Sequence, residues 1–347
     1  MPNQTSRRGK LKDVKFADSV NASLWLDKFI ENQDTSDTRD NSAGTYKQKL
    51  IDQLTQVSVP EIYKNGFFLR WKESLEDIGA KFKTFKLDGR MIVGLGGESV
   101  LEASIALHRN YGVPYIPGSA LKGLAAAYAH KHLDERWHKE TKKTKLGDFH
   151  RLVFGSQDFA GIVTFHDAIL IPDSDNLPLH NEVMTVHHSD YYGDKDAPPA
   201  DWDSPNPIPF LSASGSYLLA LSAEAGLENV IEKTFDILKS ALQEEGIGAK
   251  TSSGYGRGHF EKSDEEIAVA KENQDVERFI VRVKAIRNVA GEIGNFVQEW
   301  EQSTLSNTSK KRMAQAIIDK VAEAGRENAS KDKPWYQKLI EFINQNN

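Results

Sequence analysis

Between Gly246 and Gly258 the chain reads Gly-Ile-Gly-Ala-Lys-Thr-Ser-Ser-Gly-Tyr-Gly-Arg-Gly, a composition suited to holding a phosphodiester backbone. Its glycines allow positive φ and let a ligand approach bare N–H groups. Successive N–H groups in such a loop form an anion-binding concavity, here starting at Gly248. Lys250 and Arg257 add full positive charge, Thr251, Ser252 and Ser253 add hydroxyls, and Tyr255 offers a flat face for a base. A nucleotide-binding P-loop is excluded. That motif requires glycine before its lysine and again five residues earlier, where this chain has Ala249 and Glu244. The bland alternative is a glycine turn joining a helix to a strand.

A second anion-binding element is expected at Pro117-Gly118-Ser119, which opens the alanine-rich run Ala120 to Ala129. Proline and serine mark a helix start, and alanine sustains the helix. The unpaired N–H groups and partial positive charge of such a terminus suit a phosphate, with Lys122 following in the first turn. Ser119 serves equally as a helix cap.

These two elements need a frame that brings them together. Phe82 to Leu87 alternates with period two, and Met91 to Leu95 continues it as a strand or hairpin. Gly161 to Ile171 reads as a buried strand, and Ile208 to Leu221 as another, broken at Gly215. Leu227, Val230, Ile231, Phe235, Leu238 and Leu242 repeat at helical spacing, with Gly246 ending that helix. A last short strand lies near Gly256 to Glu261. The order strand, helix, strand, strand, helix, strand predicts an α+β, ferredoxin-like (RRM-like) core over residues 81–262 with strand order 4-1-3-2. Such a sheet puts the Pro117–Ser119 helix start and the glycine loop at one end.

Around this core, residues 1–80 read as a mainly helical extension, with patterns at Leu24–Ile30 and Leu50–Val57 separated by a polar loop. Residues 172–207 form an insertion whose prolines 178, 198, 199, 205 and 207 predict irregular structure. Residues 263–347 form a helical C-terminal extension, with helices at Glu277–Ala290, Lys310–Ala324 and Pro334–Ile343.

The 347 residues suffice for a large core without disulfides or metal, and there is no cysteine. No run approaches the roughly 20 apolar residues of a membrane span, and Met1 to Lys10 lacks the apolar stretch of a signal peptide. A cytoplasmic location is expected. The net charge of −6 argues against nucleic-acid binding through bulk electrostatics, so any such surface is a local patch.

Pro114-Tyr-Ile-Pro-Gly-Ser-Ala-Leu-Lys-Gly123, Phe154-Gly-Ser156, Gly161-Ile-Val-Thr-Phe-His-Asp-Ala168 and the closing Gly246–Arg257 run resemble the RAMP superfamily of CRISPR proteins. Val183-Met-Thr-Val-His-His188, Tyr191-Tyr192 and Pro207-Ile-Pro-Phe-Leu211 are similar to the family of sixth subunits of Cmr (type III-B) effector complexes. The resemblance covers residues 82–260 and implies a Cas7-like backbone subunit without target-cleaving chemistry. Its partners would be guide RNA, held by its 3′ portion, the paired target RNA, and backbone, small and adjacent RAMP subunits. It implies no cofactor, metal or catalytic residue. Its glycine loop maps onto Gly246–Gly258 and its helix start onto Pro117–Gly123, with Ala120 where a second serine is common.

A catalytic reading, that of a RAMP endoribonuclease, would use His166-Asp167 or His187-His188-Ser-Asp190. Metal-free RNA cleavage needs a base for the 2′-OH and an acid for the leaving oxygen, and histidine serves as either. Metal-assisted cleavage needs converging ligands, whereas adjacent residues on extended chain point apart. His166-Asp167 is read as a structural hydrogen bond, and His187 and His188 either as loop histidines or as contacts to RNA or a partner, RNA being the reading carried forward.

Overall fold

The computed structural model describes residues 14–29, 42–97, 103–142, 144–186, 198, 206–262 and 264–345. It divides into two compact units, Met1–Glu261 and Lys262–Asn347.

In the first unit the strands are β1 (Lys81–Leu87), β2 (Tyr115–Ile116), β3 (Thr164–Phe165), β4 (Ala168–Leu170), β5 (Leu179–Val186), β6 (Asn206–Ala213), β7 (Ser216–Ser222) and β8 (Gly258–Phe260). The main sheet has the order β2-β4-β7-β1-β8, with β3 also on β7. All its pairings are antiparallel. The period-two pattern of β1 buries Phe85 and Leu87 on one face and turns Phe82 toward Trp71 on the other. β7 is buried along its whole length, with Tyr217, Leu219 and Leu221 on the larger core and Ala220 against Leu75 and Ala80.

The helices of this unit are α1 (Ala22–Lys28), α2 (Ser42–Leu54), α3 (Leu69–Asp77), α4 (Gly118–His132), α5 (Asp148–Phe154) and α6 (Glu228–Glu244). Leu121, Ala125 and Ala129 of α4 and Ile231, Phe235, Leu238 and Leu242 of α6 recur at i, i+4 and i, i+3 spacing, so both helices bury one stripe in the same core. Gly246, at φ 80°, ends the α6 turn by donating its N–H to Ala241. The N-terminal residues also supply core: Trp25, Leu50, Ile51 and Leu54 belong to the cluster that packs on the sheet. Tyr63, in a π-helical turn (Tyr63–Phe68) ahead of α3, is fully buried and donates its hydroxyl to the Leu170 carbonyl at 2.5 Å.

Several expectations are corrected. Within the insertion Leu179–Val186 is not irregular, because it forms β5 and pairs over eight residues with β6 as a separate antiparallel ribbon. Pro207 and Pro209 are tolerated because in a two-stranded ribbon one side of each strand has no partner. The single strand expected from Ile208 to Leu221 is therefore two strands in two sheets, turned at Gly215 with φ 99°. The strand expected over Gly161–Ile171 is interrupted at His166-Asp167 into β3 and β4. Among the described residues Met91–Leu95 forms one bridge, Met91 to Ala213, and takes backbone bonds from Ser104 and Ala106, rather than continuing the strand.

The second unit is helical: α7 (Asp264–Lys284), α8 (Val289–Gln302), α9 (Asn307–Glu323), α10 (Glu327–Ser330) and α11 (Pro334–Gln345). Val276, Phe279, Trp300, Ile317, Tyr336 and Leu339 help to close a core of its own. The helix expected over Glu277–Ala290 ends earlier, at Lys284, and Asn288 caps α8 through its side chain to the Gly291 N–H. Among the described residues no helix is long and apolar enough to cross a membrane.

Replacing Tyr63 by Phe should leave the Leu170 carbonyl buried without its donor, at a cost of about 1–3 kcal/mol. Urea unfolding of the variant checks this, and an unchanged midpoint would show that the bond contributes nothing.

Candidate nucleic-acid interface

The glycine loop is pinned by its own backbone. Ile247 donates to the Gly256 carbonyl at 2.9 Å, closing the base of the loop, while Gly256 donates to Arg90 at 2.8 Å and Ala249 to Ile92 at 2.7 Å. These bonds stitch it to the chain leaving β1. Gly256 is required because a Cβ there would lie 1.9 Å from the Ile247 carbonyl oxygen. At Gly248 a Cβ would meet the Ile92 carbonyl oxygen at 2.2 Å.

Between these anchors the chain rises through a turn at Thr251–Ser253, with Ser252, Ser253 and Gly254 exposed. Lys250 sits at φ 58°, the one non-glycine residue with positive φ among the described residues. Its left-handed backbone costs about 1–2 kcal/mol relative to the ordinary helical region. No partner among the described residues takes the N–H of Gly248 or Lys250, so a concavity of free donors is built beside a lysine. The Lys250 ammonium lies 3.0 Å from Met184 Sδ and 6.0 Å from the Phe210 ring centroid, both on the ribbon. Arg257 is exposed, and neither it nor Lys250 has an ion-pair partner among the described residues.

Nearby acids are already committed. Glu182 accepts from Arg90 and from Ser212 at 3.1 Å. Burial alone would raise its pKa, but these donors hold it below the usual carboxylate range. His259 meets Asp88 at 2.7 Å, and Lys86 meets Glu261 at 3.4 Å. Lys250 and Arg257 are thus the cations of the loop left without an ion-pair partner among the described residues. Tyr255 is half-buried, packed against the cluster of Ile92, Ala103 and Phe210, so part of its ring serves the ribbon contact.

The helix start lies elsewhere. Gly118 is buried and its N–H donates to Asp167 Oδ1 at 2.7 Å. A Cβ at Gly118 would come within 2.1 Å of the Phe165 carbonyl oxygen, so this glycine serves close packing. Ser119 is exposed and Lys122 half-buried. The other end of α4 meets the entrance to the glycine loop: Tyr128 donates to Glu244 at 2.9 Å, and Lys131 and His132 approach Glu245 at 2.8 and 3.0 Å. Ten residues of helix, about 15 Å, separate Gly118 from Tyr128, so the two expected anion sites do not share an edge. The cause is β2, which runs back down beside β4 and delivers the chain to the opposite end of the sheet. His187 and His188 lie outside the described residues.

A model of the RAMP superfamily matches residues 84–261, just over half of the chain. The chain belongs to that superfamily. It is also 33% identical over 264 residues to the CRISPR system Cmr subunit Cmr6 of Pyrococcus furiosus, covering 60% of this chain and 77% of that protein. To the Cmr6 subunit of Saccharolobus solfataricus it is 23% identical over 255 residues, covering 71% and 83%. Among solved structures, a subunit of a type III-B Cmr-beta complex bound to cognate target RNA shares the fold. The TM-score is 0.51 at 19% identity, over 64% of this chain and 73% of that one.

Of the candidate catalytic groups, His166 and Asp167 lie within the described residues of this RAMP core, and both make structural contacts. His166 Nε2 lies 2.8 Å from the Ser222 hydroxyl, and Asp167 caps α4. A Ser-His-Asp set that the sequence did not signal, Ser214, His180 and Asp175, has the wrong order for nucleophile activation. Ser214 gives its proton to Asp175 at 2.5 Å and meets His180 Nε2 at 2.6 Å. Among the described residues no three potential metal ligands converge. Arg90, Glu182 and Met184, which seat the loop on the ribbon, were not singled out from the sequence. For Met184 the signal was the Val183-Met-Thr-Val-His-His188 motif, and nothing in the sequence pointed to Arg90 or Glu182.

Because only Lys250 strains the loop, Lys250→Gly should stabilise the protein by about 0.5–1 kcal/mol, whereas Lys250→Ala should not. Paired thermal melts check this, and equal effects of both variants would show that the left-handed backbone carries no cost.

Proposed function

We propose that this chain is a non-catalytic, cytoplasmic RNA-binding backbone subunit of a type III-B (Cmr) CRISPR effector complex. It holds the 3′ portion of the guide RNA by its sugar-phosphate backbone and contacts neighbouring backbone, small and RAMP subunits in defence against invading RNA. The observation that carries the reading is the loop from Gly248 to Arg257, with free backbone donors beside Lys250, an exposed Arg257 and no uncommitted acid nearby. Charge of this kind reads phosphates rather than bases, which suits a subunit that must accept any guide sequence. The match to Cmr6 subunits supports the assignment to that complex.

The sheet order β8-β1-β7-β4, with α4 and α6 in the two connections, supports a ferredoxin-like, RRM-like core. Its first helix departs from the simple pattern because β2 precedes it. Ser119 and Lys122 then form a second contact along the strand, separate from the loop, and His187 and His188 a third on the segment beyond β5.

Lys250→Ala with Arg257→Ala should weaken guide binding at least about tenfold for every guide sequence tested. The slope of log affinity against log salt should fall by about 1.4, at about 0.7 per lost single-strand phosphate contact. Salt-series titrations of labelled guide RNA read both quantities. Unchanged affinity and slope would sink the cradle, and loss confined to particular guide sequences would point to base readout instead.

A further inference from the structure

The outward side of α4 forms a groove of about 700 Å³ with the segment that leads through α5. His150 lies in its wall, only 5% exposed, and neither of its ring nitrogens has a hydrogen-bond partner. A buried polar side chain is ordinarily paired, so an unpaired one facing a groove marks a contact completed by something else. Burial lowers the His150 pKa, and the positive fields of Lys139, His130 and Lys122 push the same way. His130 Nδ1 accepts the Lys139 backbone N–H at 3.2 Å, which leaves its Nε2 as a donor. Lys122 and Lys139 have no ion-pair partner among the described residues, and no carboxylate lines the groove. The groove therefore fits an anionic occupant.

The floor decides which kind. Gly123, Ala126 and Ala127 stand at i, i+3 and i+4, a strip of small residues on one helix face. Such a strip lets another backbone lie close. Phe154 at the edge is 5% exposed, so it offers no ring face on which a base would stack. We propose that this groove docks an acidic amphipathic helix of a protein partner, its small side chains on Gly123–Ala127 and its carboxylates on Lys139 and His130, above the buried His150 ring. The inference rests on the subunit reading only for the source of that helix, a neighbouring chain of the assembly.

The test uses the full-length chain with labelled histidine, the His150 ring signal being assigned from a His150→Gln variant. The probe is a synthetic helical peptide with alanine and leucine on one face and glutamate on the other. It should move the His150 signal saturably. A peptide with every glutamate replaced by glutamine should bind at least about tenfold weaker, as should the acidic peptide to Lys139→Glu. The Lys250→Ala, Arg257→Ala variant should bind the acidic peptide like the parent, so failure of the guide-binding reading would leave this result standing. Equal binding of the two peptides, a motionless His150 signal, or a His150 signal moved more readily by single-stranded RNA would each overturn the proposal.

Discussion

The backbone bonds that carry the glycine loop on the carbonyls of Arg90 and Ile92 are the constraint on which the candidate interface depends. They fix the loop to the chain leaving β1, and β1 is paired on both sides, by β7 and β8. The loop therefore inherits the rigidity of the sheet rather than moving as a surface turn. Glycines at 248 and 256 are needed where the backbone comes too close for a Cβ. Lys250 takes a backbone conformation that glycine would take at less cost, and its retention is a strain absorbed by this framework. The conformation points the ammonium over Met184 and Phe210 while leaving adjacent N–H groups open.

How much of this was legible follows from the range of each interaction. The β1 pattern, the α6 stripe and the Gly246 stop are local, and all three are found where the periodicity puts them. The ribbon was missed because prolines argue against a strand in a sheet interior and carry no such penalty in a two-stranded ribbon. The position of α4 was missed for a different reason. Two residues of β2 are too few to show a period, and the bond that seats the helix start joins residues 49 apart. The α7–α8 break is set by an Asn cap that a run of charged residues obscures. The loop's residues were legible as chemistry, yet the seating of Lys250 on Met184 depends on a strand that the sequence did not reveal.

Electrostatics reconciles a net charge of −6 with an anion-binding role. Near the loop each acid has its own cation or donor, Glu182 with Arg90, Asp88 with His259 and Glu261 with Lys86. Among the described residues Lys250 and Arg257 are left without an ion-pair partner. Acids elsewhere on the surface are screened over about 8–10 Å at physiological salt, so the charge a phosphate meets is that of the loop and not of the chain.

The same accounting separates the two ends of α4. Its N-terminal dipole is already met by Asp167, which takes the first N–H and supplies the negative charge that an external phosphate would otherwise bring. A ligand at this end must therefore be held by side chains, Ser119 and Lys122, rather than by the helix itself. At the loop the backbone N–H groups are still available, and there the main chain contributes directly. Recognition through backbone donors and through long flexible side chains differs in entropy, because fixing a lysine costs rotamer freedom while the pinned loop has already lost its own on folding. The preorganised site is the glycine loop, and it is the one whose geometry the fold enforces.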